Sequence, residues 1–195
     1  MDILSLHLSP RKDGNSADMM KEFLRGARDA GAEALEYSIA DHHIKPCLGC
    51  GACEKTGTCV IRDDDMKDLI PLLAKAPMIV VATSLFFYDV PAQGKALIDR
   101  TQPLWSWRYR LGRTDSLRPK GQGFLLALGA TKGQDLFVPV ALSVKYFFDS
   151  IGFPKTFESL FFRQVENLGD MAGNEEHMKQ LYEAGKEFGA KRPAA

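Results

Sequence analysis

The sequence predicts an α/β fold: a doubly wound, five-stranded parallel sheet in three layers, with helices on both faces. Three observations lead there. Short apolar stretches alternate with longer segments of helical period along the chain. The strand-like stretches, "PMIVVATS" above all, are apolar almost throughout, as strands buried on both faces are. And 195 residues, 45% of them hydrophobic, are enough for one domain, 1–195, with a sizeable core.

The elements follow in order. "DILSLHL" is a buried strand that ends at "SPRKDGNS". Met19, Met20, Phe23, Leu24, Ala27 and Ala30 then recur at helical spacing, and Gly31 is a stop. "ALEYSI" is a second strand, and a cysteine-rich loop, 47–59, comes next. "DDDMKDLIPLLAKA" predicts a helix with acidic residues at its favourable end and a kink at Pro71. "PMIVVATS" is the third strand, "AQGKALIDRT" a helix weakened by Gly94, and "GFLLALGA" the fourth strand. "DLFVPVALSVKYFFDSIG" is helical with Pro139 inside it. "KTFESLFF" is the last strand, and "NEEHMKQLYEAGKEFGA" an amphipathic closing helix. Five strands in this rhythm suit a flavodoxin-like arrangement, whose ligands bind beyond the carboxyl ends of the strands.

Composition excludes some classes. Twenty-five basic residues balance twenty-five acidic ones, which argues against a general nucleic-acid or anionic-membrane binder. The start lacks a positive leader followed by an apolar run. The longest apolar runs are about ten residues, against the ~20 of a membrane span. A cytoplasmic protein without nucleic-acid or membrane partners is expected.

"SPRKDGNS" falls between the first strand and the first helix, where an open α/β sheet offers an anion site of free amides and helix dipole. Ser9, Asn15 and Ser16 supply short polar side chains, Gly14 a tight turn and Arg11 a charge. The loop is neither GxGxxG nor a Walker loop, so a single phosphate is favoured over a dinucleotide or triphosphate. The same stretch also fits an ordinary turn in which Ser16 caps the helix.

All four cysteines lie within thirteen positions, spaced Cys47-x2-Cys50-x2-Cys53-x5-Cys59. Disulfides rarely persist in the cytoplasm, so the cluster points to metal or redox chemistry. The run approaches the bacterial ferredoxin pattern, and Gly49, Gly51 and Gly57 let it wrap closely. A crowded triplet fits a [4Fe–4S] cubane better than zinc, which usually takes two separated pairs. Free thiols in a structural loop are the plainer reading.

"SPRKDGNS" resembles the S-x-R-x-x-G-N-[ST] phosphate loop of the NADPH-dependent FMN reductase family. "CLGCGACEKTGTCVIRDDDM" is similar to the cysteine segment of its iron–sulfur flavoprotein branch, and "VPAQGKALIDR" matches a family stretch after the third strand. The resemblance runs from Met1 to about Arg100 and continues as a strand–helix rhythm. It implies FMN held non-covalently, with Ser9, Arg11, Asn15, Ser16 and Ala17 at the phosphate. The loop after the third strand would flank the isoalloxazine ring. The family often has S-P-x-Y there, whereas this chain has Thr83, Ser84, Leu85 and Phe86, followed by Phe87. A third contact is expected at Gly129, Ala130 and Thr131. Cys47, Cys50, Cys53 and Cys59 would hold the [4Fe–4S] cluster. The resemblance also implies a homodimer or homotetramer, with one subunit's cluster facing its neighbour's FMN.

The expected function is therefore flavin redox chemistry: electrons pass between FMN and a [4Fe–4S] cluster, with no catalytic acid or base. NAD(P)H, ferredoxin or a quinone are the candidate small redox partners. A cluster-free NAD(P)H-dependent FMN or quinone reductase is the first alternative, and a zinc-stabilised interaction module the second. His42 and His43 fit a solvated turn, His7 a satisfied core position, and Asp63 to Asp65 helix-start charge. "WSWRYRLGR", 105–113, fits a subunit interface or a cover over the flavin better than an RNA-binding segment.

Overall fold

A computed structural model describes residues 1–117 and 121–193. Its five strands are β1 (Ile3–His7), β2 (Ala34–Ser38), β3 (Met78–Ser84), β4 (Gln122–Gly129) and β5 (Glu158–Arg163). They form one sheet in the order β2-β1-β3-β4-β5, every neighbouring pair parallel. Chain direction across the sheet reverses between β1 and β3, so the switch-point crevice opens beyond His7 and Ser84.

Side chains alternate across the sheet, and both faces are covered. On one face Leu4, Leu6, Ile79, Val81, Leu125 and Ala127 pack under α3 (Met66–Lys75), α4 (Ala92–Asp99), α5 (Gln102–Tyr109) and α6 (Val138–Ser150). On the other, Ile3, Met78, Val80, Ala82, Phe124 and Leu126 pack under α1 (Asn15–Asp29) and α7 (Glu175–Ala190). A five-residue helix, α2 (Ala52–Thr56), lies within the cysteine loop. No helix of the described residues is long and apolar enough to cross a membrane.

The structure refines three local expectations. Pro139 is not internal: α6 starts at Val138, so the proline occupies the first turn, where its missing amide costs nothing. α3 runs through Pro71 as one helix, and the carbonyl that loses its partner belongs to exposed Lys67. Residues 102–109 form a helix, α5, so the first half of the 105–113 segment, read as a subunit interface or a cover over the flavin, is helical. Its aromatic and arginine content hid a weak helical period.

α1 and α7 approach each other closely. A Cβ on Gly26 would overlap the Tyr182 carbonyl, and one on Gly185 would overlap that of Phe23. Neither glycine has room for a methyl group without moving the helices apart. Gly185→Ala is therefore expected to destabilise the protein by ~1–3 kcal/mol, typical of overpacking, despite alanine's better helix propensity. Urea unfolding followed by far-UV circular dichroism measures it; a stabilised variant would contradict the crossing geometry.

Candidate functional site

The chain leaves β1 at His7, and the Leu8 amide adds one more bond to the Ala82 carbonyl at 2.9 Å. The turn that follows is local: the Arg11 amide donates to Ser9 Oγ at 3.2 Å. Gly14, at φ 128°, is the N-cap of α1 and brings no capping side chain. The amides of Asn15 and Ser16 carry no hydrogen bond among the described residues. A fifteen-residue helix thus presents free donors at its positive end, beside the switch point.

Ser16 does not cap the helix. Its Oγ shares a hydrogen bond with His7 Nε2 at 2.9 Å, beneath the loop. Burial, and then nearby Lys21, push the His7 imidazole below its ordinary value, so the ring is neutral near pH 7.

A cleft of about 180 Å³ opens over these amides. It brings together Ser9, Arg11, Asn15 and Ser16 from the first loop, Ser84, Leu85 and Phe86 after β3, and Gly129 and Ala130 after β4. Ala17, Thr83, Phe87 and Thr131 lie off its walls. Ala17 is buried in α1, and Thr83 is fully buried, its hydroxyl donating to the Ser84 carbonyl at 2.9 Å. Phe87 is fully exposed, and Thr131 is exposed after β4. Three wall residues had no sequence signal: Val165, Glu166 and Leu168, from the segment after β5. Asp13 and Glu166 offset the charge of Arg11 along these walls, so amide donors rather than net charge suit the cleft to one phosphate.

Phe86 and Asp89 close a two-residue turn through reciprocal backbone bonds of 2.9 and 3.2 Å. Phe87 and Tyr88 form its tip with φ of 51° and 70°, a left-handed geometry normally left to Gly and Asn. Asp89 anchors the turn, accepting from Ser143 Oγ of α6 at 2.9 Å.

The cysteine loop sits elsewhere. Left-handed Gly51 and Gly57 bracket α2, which carries Cys53. Cys53 is buried, Cys59 partly buried, and Cys47 and Cys50 exposed. All four line one cleft of about 980 Å³, walled by the loop and by residues of α4, α5 and α6. Burial pushes the Cys53 thiol up, the Ser106 hydroxyl beside it pulls it down, and nearby Cys59 and Cys47 add to the rise. Among the described residues no three His, Cys, Asp or Glu side chains stand close enough to share a metal ion. As a donor set, four thiols on one cleft wall, with open space around Gly49 and Gly51, have the chemistry of an iron–sulfur cluster's ligands.

What holds the loop is Arg100, at the end of α4. Its Nη1 donates to Asp64 at 2.5 Å and to the Lys45 carbonyl at 2.7 Å; its Nη2 donates to Asp64 at 3.1 Å and to the Ile61 carbonyl at 3.3 Å. Lys45 and Ile61 flank the cysteines on either side, so one guanidinium clamps both shoulders. Both charged side chains are almost wholly buried. The aspartates expected to be helix-start charge do stand at the start of α3, where Asp65 is the N-cap and Asp64 accepts from the Met66 amide at 3.3 Å, and they close the loop as well. Asp63 pairs with Lys45, and Asp65 accepts from the His43 amide at 2.7 Å. His42 stacks on Tyr37 at 3.8 Å.

The 105–113 segment joins the same assembly. Trp107 Nε1 donates to the Gly57 carbonyl at 2.7 Å, and Trp105, Tyr109 and Arg110 line the cysteine cleft. Tyr109 donates to buried Asp149 at 2.9 Å. The two clefts have no wall residue in common.

Residues 1–134 match the model of the NADPH-dependent FMN reductase family. An iron–sulfur flavoprotein of Methanocaldococcus jannaschii is 34% identical over 104 residues, 53% of this chain and 53% of that protein. The match thus spans about half of that relative's length. An iron–sulfur flavoprotein of Archaeoglobus fulgidus is 32% identical over 143 residues, 72% of this chain and 69% of that protein. Among solved structures, an NAD(P)H:quinone oxidoreductase from Methanothermobacter marburgensis superposes with a TM-score of 0.70 at 15% identity, covering 95% of each chain. That likeness speaks for the fold.

The buried clamp sets an acid limit. Burial pushes the Asp64 carboxyl up, but Arg100 and the Lys45 and Met66 amides outweigh it and hold the group below the usual carboxylate range. A depressed folded value stabilises above the unfolded pKa of about 4 and ceases to do so as pH falls through the folded value. Asp64→Asn is expected to cost ~3–5 kcal/mol at pH 7, because it strands a buried guanidinium. Its stability should also fall less steeply than that of the wild type below about pH 4. Urea titrations from pH 7 to pH 3 compare the two; parallel curves would rule out the clamp.

Proposed function

The chain belongs to the NADPH-dependent FMN reductase family, and we propose that it is a flavin-dependent oxidoreductase carrying both FMN and a [4Fe–4S] cluster. The observation that carries the flavin half is the convergence of three loops on one cleft over the unbonded amides of Asn15 and Ser16. When bound, FMN supplies one- and two-electron transfer and the cluster single-electron transfer.

The chain's own part is placement. The amides of Asn15 and Ser16, with Ser9 and Arg11, bind the phosphate at the helix start. Ser84, Leu85 and Phe86, with Gly129 and Ala130 beside them, form the wall for the ring. Their backbone groups can serve a flavin whatever the side chains are, so the departure from S-P-x-Y does not remove them. Cys47, Cys50, Cys53 and Cys59 hold the cluster on a loop whose shoulders Arg100 fixes. No side chain is assigned as a proton donor or acceptor.

The names of the curated relatives support the cluster, as do four thiols on one cleft. Separate walls for the two clefts favour a homodimer or homotetramer in which one subunit's thiols face the neighbour's flavin. A small redox partner (NAD(P)H, ferredoxin or a quinone) supplies or accepts the electrons. Free thiols suit the reducing cytoplasm. One observation favours the cluster-free reductase: no three thiols are yet gathered at one point.

Protein prepared without oxygen and titrated with FMN decides between them. Stoichiometric flavin and about four irons per chain with matching sulfide are expected, together with broad absorption beneath the flavin bands. Cys50→Ser should lose iron and keep FMN. Flavin with rapid NAD(P)H turnover and no iron would establish the cluster-free reductase, and one zinc with no flavin the interaction module.

A further inference from the structure

Both ends of the Asn15 carboxamide are engaged far from the anion loop in sequence. Nδ2 donates to the Asn167 carbonyl at 2.7 Å, and Oδ1 accepts from the Met171 amide at 3.1 Å. Both partners lie in the segment that follows β5, the one that adds Val165, Glu166 and Leu168 to the cleft.

Val165 and Met171 anchor the two ends of that segment in the core; between them, little besides Asn15 holds it at the cleft. The Val165 amide bonds the Gly129 carbonyl at 3.2 Å, close behind Gln164, which sits at φ 59°. Within the segment, Asp170 gathers the Glu166 and Asn167 amides at 2.9 and 2.7 Å. Leu168 is 84% exposed, a position that an apolar side chain tolerates but does not seek. The free amides of the helix start can take an anion without the Asn15 side chain.

We infer that Asn15 is a positioning residue whose side chain latches the 165–171 segment onto the anion loop as a further wall of the cleft. The phosphate is held by main-chain amides without it. The ligand in this inference rests on the FMN reading above; the latch rests on the two hydrogen bonds.

Riboflavin, which lacks the phosphate, separates a latch from a phosphate donor. Asn15→Ala should weaken FMN and riboflavin by the same factor, about five- to ten-fold. Asp170→Ala, which loosens the segment without touching the anion loop, should do the same. In flavin-free protein, both variants should exchange the amides of 165–171 faster while those of β1 and β4 stay unchanged. The double variant should bind no worse than the weaker single variant, because both open one segment. A loss confined to FMN overturns the inference, as do additive losses or unchanged exchange at 165–171. Wild-type protein that binds neither flavin sinks the FMN reading alone, and the exchange measurement still decides the latch.

Discussion

Arg100 carries a constraint that local sequence could not impose: it fixes both ends of a loop whose middle must stay open. Thirteen residues rich in cysteine and glycine have almost no apolar surface to bury, so packing alone cannot order them. A guanidinium has five donors in a rigid fork, enough to bind a carboxylate and two carbonyls together. Arg100 does this from inside the protein, reaching Asp64, Lys45 and Ile61. Desolvating such a pair is expensive, and an apolar replacement of similar shape often stabilises a protein more. Its use here is best understood as specification. It fixes where the loop begins and ends, and Cys59 lies beside it.

The anion loop solves the opposite problem. Its donors must stay unsatisfied, which a folded chain tolerates only at the surface or facing a ligand. Gly14 serves by caps it does not make: the side chain of Ser, Asp or Asn there would accept from the amides of Ser16 or Ala17 and so compete with an anion for Ser16. Ser16 is turned inward to His7, and Asn15 outward to the segment after β5. Further along, α1 packs against α7, where glycines let the two backbones meet.

Much of this was legible in the sequence because the signals were local. The five strands and the two loops follow from patterns within a few dozen residues, and the family resemblance supplied most of the thirteen expected flavin-side residues, nine of which line one cleft. What escaped notice was long-range. Asp64 reads as helix-start charge, a role it has, and only Arg100, 36 positions later, reveals its second one. The role of 105–113 appears only when Trp107 meets the Gly57 carbonyl, 50 positions earlier. Val165, Glu166 and Leu168 carry no motif at all, and the sheet order alone brings them to the crevice.

Backbone strain marks the remaining edge of that crevice. Phe87 and Tyr88 occupy left-handed geometry that costs on the order of 1–3 kcal/mol per residue. Asparagine and glycine would relieve it. The turn persists because its base is over-determined: two backbone bonds join Phe86 to Asp89, and Asp89 is held by Ser143. Ser143 also lines the cysteine cleft, while Phe86 lines the other. The Asp89 carboxylate therefore ties a wall residue of one cleft to the turn that borders the other, although the two clefts have no wall residue in common.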